Sequence, residues 1–401
     1  MSPSRQLQKV YLAGFLFNVS YLLFAVLIPL DALSLHLAIW TVGVLTALPG
    51  VLQLPTRIIS GPLVDWLGER WVLWLTFALE VLAGLCVLAG HGAPIATLIA
   101  GQLLIGAARG FFWTAAQSEV SRQPGNRPQH LGLFTSYTKG GALIGIAGAG
   151  AAATFLGLSG GFMVSAALAA LALAIGCTLT PASRSRRQKS FCHAVQKLVP
   201  ASRQPFVVVN GLIALLCAVP QALAQSFYPV VLIRLGLSQA GASLETSLMG
   251  LGMIVAGIVG AQALRMLGMR RLIALGTVLV ALSLAGTAYH HIALDGVTIF
   301  LGGLAAGWLN VGFLTAVSSR SRDGDRGTNL AVTQVYFVVA IMATPLISGW
   351  LLSRFGIAIT FLVEAGLALL AVALVMILWR WQDHAQRPVG VRGTKSSGSI
   401  G

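Results

Sequence analysis

Long apolar runs recur along the whole 401-residue chain, separated by short polar stretches. A bilayer core is about 30 Å thick, and about 20 apolar residues cross it as a helix. Inside it no water satisfies a bare backbone, so helices are the form such runs take. With 56% hydrophobic and only 9% charged residues, a water-facing surface would be apolar throughout. The length gives room for about twelve spans. They are read as helix 1 at 10–30, helix 2 at 39–63, helix 3 at 71–90, helix 4 at 94–117, helix 5 at 131–153 and helix 6 at 159–180. Helix 7 follows at 206–232, then helix 8 at 243–264, helix 9 at 271–289, helix 10 at 296–317, helix 11 at 330–352 and helix 12 at 356–380. The first run, Val10 to Leu30, is too long for a signal-peptide core and lacks a small-residue cleavage site, so it is read as a retained span.

The net charge of +15 is spread between the apolar runs rather than gathered on a soluble domain, which argues against nucleic acid as a partner. Lys and Arg fall almost entirely on one side of this layout, from Arg5 and Lys9 through Arg70, Arg122, Arg184, Arg270, Arg320 and Arg380; the other side has Arg234 and Arg354. Positive charge stays inside, so both termini and the 181–204 stretch are expected in the cytoplasm of a multi-pass cell-membrane protein. Cys192 in that stretch should then react with an impermeant thiol reagent only from the inner side; labelling of intact cells would reverse the orientation. The four cysteines show no CxxC spacing, and neither a disulfide nor a metal site is indicated.

The two halves of the chain echo one another. At an offset of 200, Gly68-Glu69-Arg70 falls on Gly268-Met269-Arg270, Pro29 on Pro229 and Arg122 on Arg322. One residue is then lost, so that Tyr137 meets Tyr336 and Gly157 meets Gly356. The expected fold is an all-α membrane protein of twelve transmembrane helices in two pseudo-symmetric six-helix halves. Residues 1–181 form the N-terminal half, 182–204 a basic loop, 205–381 the C-terminal half and 382–401 a disordered tail.

Between helices 2 and 3 the chain reads Gly61-x-Leu63-x-Asp65-x-x-Gly68-x-Arg70. This resembles the signature loop of the major facilitator superfamily, although Trp66 and Glu69 stand where that pattern is basic. The resemblance spans residues 5–381 and implies two halves that rock about a central site lined by helices 1, 4, 7 and 10. It also implies that Asp65 helps hold the halves together by meeting a facing helix end. Gly68 suits the turn itself.

Polar side chains inside spans are costly and so ask for a role. Three are cations: Arg57 in helix 2, Arg109 in helix 4 and Lys139 in helix 5. At 100° per residue Gln102, Gly106, Arg109, Trp113 and Gln117 share one face of helix 4, and Asn210, Cys217, Gln221, Gln225 and Tyr228 one face of helix 7. Helix 1 adds Asn18 and Tyr21, and helix 10 adds Asn310. The competing reading of each Gln and Asn is a bond to a neighbouring helix, and Arg109 could pair with Glu119 or Glu80. Arg57, Arg109 and Lys139 all lie roughly 9–12 Å from the basic side and could converge at one level. Glu80 in helix 3 and Glu364 in helix 12 are candidates for proton coupling. His290, His291 and Asp295 are read as solvated surface on a short outer loop.

Two subfamily comparisons are partial. Pro49, Arg57, Gly61, Gly68 and Arg70 resemble the helix 2 pattern of nitrate/nitrite transporters, but Gly257 stands where those proteins carry a second Arg. Gly141-x-x-x-Gly145-x-x-Gly148 resembles the helix 5 motif of drug–proton antiporters without its Pro. No nucleophile–base group and no phosphate-binding Gly loop is present, so neither an enzyme nor an ATP-driven pump is indicated. The reading is a secondary active transporter working by alternating access on a small organic anion or an amphipathic anionic compound. It is expected to act as a monomer without cofactor. Alternatives are a drug or metabolite efflux antiporter and a non-transporting sensor with the same fold.

Overall fold

Glycine or proline stands at most of the breaks between helices among the described residues, and His36 (φ 56°) turns the chain between the first two. The computed structural model describes residues 5–90, 93–123, 127–180, 198–289, 291–321 and 326–385; among these lie no strands. Cys192, His290 and the 386–401 tail fall outside them, as does the side chain of Asp65. Among the described residues ten stretches are long and apolar enough to cross a membrane. Two of these, Leu133–Cys177 and Asn329–Leu378, are 45 and 50 residues long, about twice what a bilayer takes. Each turns back at a left-handed glycine, Gly157 (φ 73°) and Gly356 (φ 76°), so the ten stretches make twelve crossings.

Helix 1 is Arg5–Ser34. Helix 2 runs as Ile39–Ala47 and then Pro49–Leu67, helix 3 is Glu69–Leu88 and helix 4 is Pro94–Arg122. Helices 5 and 6 are 127–156 and 158–177. A five-residue helix, Leu198–Ser202, sits within what was expected to be plain loop. Helix 7 is Pro205–Ala224 continued by Phe227–Arg234. Helices 8 and 9 are 239–267 and 269–287, helix 10 is Ile292–Arg320, and helices 11 and 12 are 326–355 and 357–385. Most bounds lie within a few residues of those expected; helices 5, 8, 10 and 11 each start four residues earlier and helix 1 five. The turns repeat between halves: Gly68 (φ 89°) matches Gly268 (φ 73°) at a separation of 200, and Gly157 matches Gly356 at 199. Only glycine adopts such φ freely, so the two halves carry the same hinge residues.

Hydrogen bonds gather the basic ends on one face. Lys9 donates to the Thr178 carbonyl (3.0 Å), Arg70 to the Cys177 carbonyl (3.0 Å) and Gln6 to Glu119 (3.3 Å). Arg70 also lies 4.4 Å from the centre of the Trp74 ring. The halves meet along helices 2 and 11 and helices 5 and 8. Towards the opposite face they meet almost backbone to backbone. A Cβ on Gly43 would lie 2.5 Å from the Pro345 carbonyl oxygen, and one on Gly150 would lie 2.0 Å from that of Gln239.

One expectation is overturned. Asp295 is not solvated: it sits in the first turn of helix 10 and is 0% exposed. Helix 10 starts four residues before the expected bound, which carries the carboxyl inside the bundle.

Candidate functional site

Small residues on helix 4 decide where its arginine points. A Cβ on Gly106 would lie 2.1 Å from the Pro49 carbonyl oxygen, and one on Gly110 would lie 1.9 Å from Thr56 Oγ1. Helix 4 therefore presses its bare face on helix 2. Arg109, between the two glycines, reaches helices 1 and 7 instead. It is 7% exposed. Its Nη1 donates to the Tyr21 hydroxyl and to Gln225 Oε1 (3.4 Å), and Tyr21 in turn donates to Gln225 Oε1. The guanidinium carbon lies 4.8 Å from the Tyr21 ring centre, a cation–π contact.

Gln225 is available because helix 7 breaks there. Pro229 has no N–H to give to the carbonyl four residues back, which is that of Gln225. The helix accordingly stops at Ala224 and resumes at Phe227, with Ser226 at φ −132°, ψ −76° between them. The repeat-related prolines Pro29 and Pro229 thus differ in effect: helix 1 continues through Pro29, whereas helix 7 opens at Gln225.

The two other cations stand close by. Arg57, half-buried, donates from Nη2 to Gln334 Oε1 of helix 11 (3.3 Å). Lys139 is half-buried and has no hydrogen-bond partner among the described residues. Both feel the positive charge of Arg109, and Lys139 also interacts with Cys217. The Cys217 thiol donates to the Ala306 carbonyl of helix 10 (3.1 Å). No carboxylate pairs with any of the three cations among the described residues. Glu119 is taken by Gln6 and Gln123, and Glu80 lies behind Tyr21. On the Arg109–Tyr21–Gln225 bridge the Nε and Nη2 edge of Arg109 has no partner among the described residues, and a planar carboxylate matches such an edge.

The structure separates the remaining candidates. Trp113, one turn from Arg109, is half-buried and meets Phe112 (5.4 Å) and Phe134 (6.2 Å) edge-on; Gln117, two turns away, is exposed. Asn18 and Gln221 are buried and bond their own helices, at the Gly14 carbonyl (2.8 Å) and the Cys217 carbonyl (3.1 Å). Gln102 bonds the Leu45 carbonyl of helix 2 (2.9 Å), the neighbouring-helix role open to each such residue. Asn310 is half-buried, one turn below Ala306. Tyr228 lies away from the cations, 1% exposed and stacked on Phe361 of helix 12. Glu80 is 1% exposed beside Ser20, whose hydroxyl goes to the Ser165 carbonyl. Glu364 accepts from Ser348 and is remote from Arg109 in the C-terminal half. Gln334 was not foreseen; its signal was an amide inside an apolar span, two residues before the repeat-related Tyr336.

The family model for the Major Facilitator Superfamily matches residues 10–296 and 211–397. Sequence comparison with curated proteins gives no significant match. Among solved structures, a mutant of the nucleoside transporter NupG aligns with TM-score 0.78 at 15% identity, over 93% of this chain and 99% of that one. A POT family transporter in complex with 5-aminolevulinic acid aligns with TM-score 0.78 at 14% identity, over 96% and 97%. The human organic anion transporter MFSD10 aligns with TM-score 0.68 at 18% identity, over 94% and 100%. At these identities the likeness is one of fold.

Proposed function

The chain belongs to the major facilitator superfamily, and from that premise we propose that it is a secondary active transporter of a small organic anion. The observation that carries this reading is the trio Arg57, Arg109 and Lys139, in which Arg109 repels each of the other two and none has a carboxylate partner among the described residues. Buried cations left unpaired are expensive. An anion entering between the halves offsets that cost, and the free edge of Arg109 gives it a planar, two-pronged contact. Trp113, with Phe112 and Phe134 beside it, favours an anion that also has an apolar part. The solved organic anion transporter among the similar structures is consistent with this class.

The same contacts supply a route to alternating access. Arg109 and Tyr21 belong to the N-terminal half and Gln225 to the C-terminal half, so their hydrogen bonds tie the halves together. An anion on the Nε and Nη2 edge leaves the Nη1 contacts in place, so it is held best in the arrangement in which Gln225 reaches Arg109. Binding thereby favours one arrangement of the halves over the other, which is what coupling requires. The basic face is placed in the cytoplasm on its Lys and Arg content.

A thermal-shift screen of the purified protein tests the substrate class. Organic carboxylates are expected to raise the melting temperature, with stabilisation of about 2.7 kcal/mol for a compound present at about 100 times its Kd. The uncharged amides of the same acids should not. Equal stabilisation by acid and amide, or stabilisation by cations alone, would sink the anion reading.

A further inference from the structure

Acidic groups without partners gather in the C-terminal half, away from Arg109. Asp295 of helix 10 is 0% exposed, and neither of its carboxyl oxygens has a hydrogen-bond partner among the described residues. Glu245 of helix 8 is its neighbour. Its Oε1 lies 2.9 Å from where a Cβ on Gly296 would stand, its Oε2 is unpartnered, and it repels Asp295 electrostatically. Tyr228 of helix 7 interacts with Asp295 and with Glu364 of helix 12. The Tyr228 hydroxyl is buried and unpartnered: Ser283 stands near, short of hydrogen-bond geometry, and gives its own hydroxyl to the Thr298 carbonyl (2.6 Å). Glu364 accepts from Ser348 through Oε1, and its Oε2 has no partner.

Four helices therefore bring together five buried side-chain oxygens, both of Asp295 and one each of Glu245, Tyr228 and Glu364, without a hydrogen-bond partner among the described residues. The groups facing Asp295 are Glu245, Tyr228 and, beyond Tyr228, Glu364; none of the four has a basic partner among the described residues. Counted from the helix ends, all lie roughly 5–10 Å from the face opposite the basic loops. Two neighbouring carboxyls with no cation between them cannot both carry charge, and an unpaired buried carboxylate is costly. A metal ion would need several converging ligands, and no group of three His, Cys, Asp or Glu side chains is placed to hold one among the described residues. A proton has no such requirement.

We propose that Asp295 and Glu245, with Tyr228 and Glu364 around them, form a proton-binding site in the C-terminal half, separate from the cation trio. The Tyr228 hydroxyl, buried and unpartnered among the described residues, lies within electrostatic reach of both Asp295 and Glu364. The site stands whether or not the transported compound is an anion, because it is argued from different residues.

Infrared difference spectra of the full-length protein in liposomes, acid minus alkaline buffer, read the site directly. The wild type should show the C=O band of a protonated, poorly hydrated carboxyl. Asp295→Asn should lose that component while the melting temperature stays near wild type, and Glu245→Gln carries the same test should Asp295→Asn fail to fold. Spectra of both variants matching the wild type would overturn the proposal. So would a melting temperature raised by sodium chloride but not by choline chloride and no longer raised in the variants, since the ligand would then be a metal cation.

Discussion

Arg109→Gln is expected to weaken binding of the stabilising anion by roughly 10- to 150-fold, the range that about 1.5–3 kcal/mol for hydrogen bonds to a charged group produces. Arg109→Lys should lose nearly as much. A lysine keeps the charge but has no planar fork, and it cannot hold a carboxylate edge-on while still reaching Tyr21 and Gln225. Stability should move the other way. Arg109 repels both Arg57 and Lys139, so removing its charge relieves a buried like-charge cluster and the melting temperature should not fall. Binding by isothermal calorimetry and melting by light scattering check the two halves of this statement. Undiminished binding in both variants would remove Arg109 from the site. A large fall in melting temperature with unchanged affinity would make it a structural tie between helices 1, 4 and 7.

Much of the architecture was legible because it depends on features with a fixed spacing. Gly68, Gly157, Gly268 and Gly356 lie where two spans must reverse, and each takes the left-handed φ that the turn requires. The site was legible only in outline. Arg57, Arg109 and Lys139 could be placed at one depth by counting residues, because rise per residue is constant. Which neighbours they meet depends on rotation and on local breaks. Gln225 faces Arg109 because Pro229 opens helix 7, and Tyr228, on the same idealised stripe, is carried past that break to Phe361 and the acidic groups. Asp295 was misplaced for a related reason. A boundary error of four residues is small for a helix but decides whether a carboxyl is in water or in the bundle.

Gly150→Leu is expected to open the face opposite the basic loops. In this structure a Cβ at Gly150 would lie 2.0 Å from the Gln239 carbonyl oxygen and 2.5 Å from Ser243 Oγ, so helices 5 and 8 cannot meet there with a side chain between them. Overpacking costs about 1–3 kcal/mol, and here it falls on the arrangement in which these ends touch. With the halves apart at that face the leucine stands in the cleft at little cost. The ratio of open to closed forms should therefore rise by roughly 5- to 150-fold. Cys217 reports it: the thiol is 0% exposed beside Lys139, and opening uncovers it. In a background with Cys86, Cys177 and Cys192 changed to Ser, an impermeant thiol reagent added on that face should label Cys217 faster by a similar factor. Gly106→Leu is the control. Its Cβ would lie 2.1 Å from the Pro49 carbonyl oxygen, but helices 2 and 4 belong to the same half. That crowding strains open and closed forms alike, so the melting temperature should fall without faster labelling of Cys217. If the two variants behave the same way, the Gly150 contact is ordinary packing and does not gate the cleft.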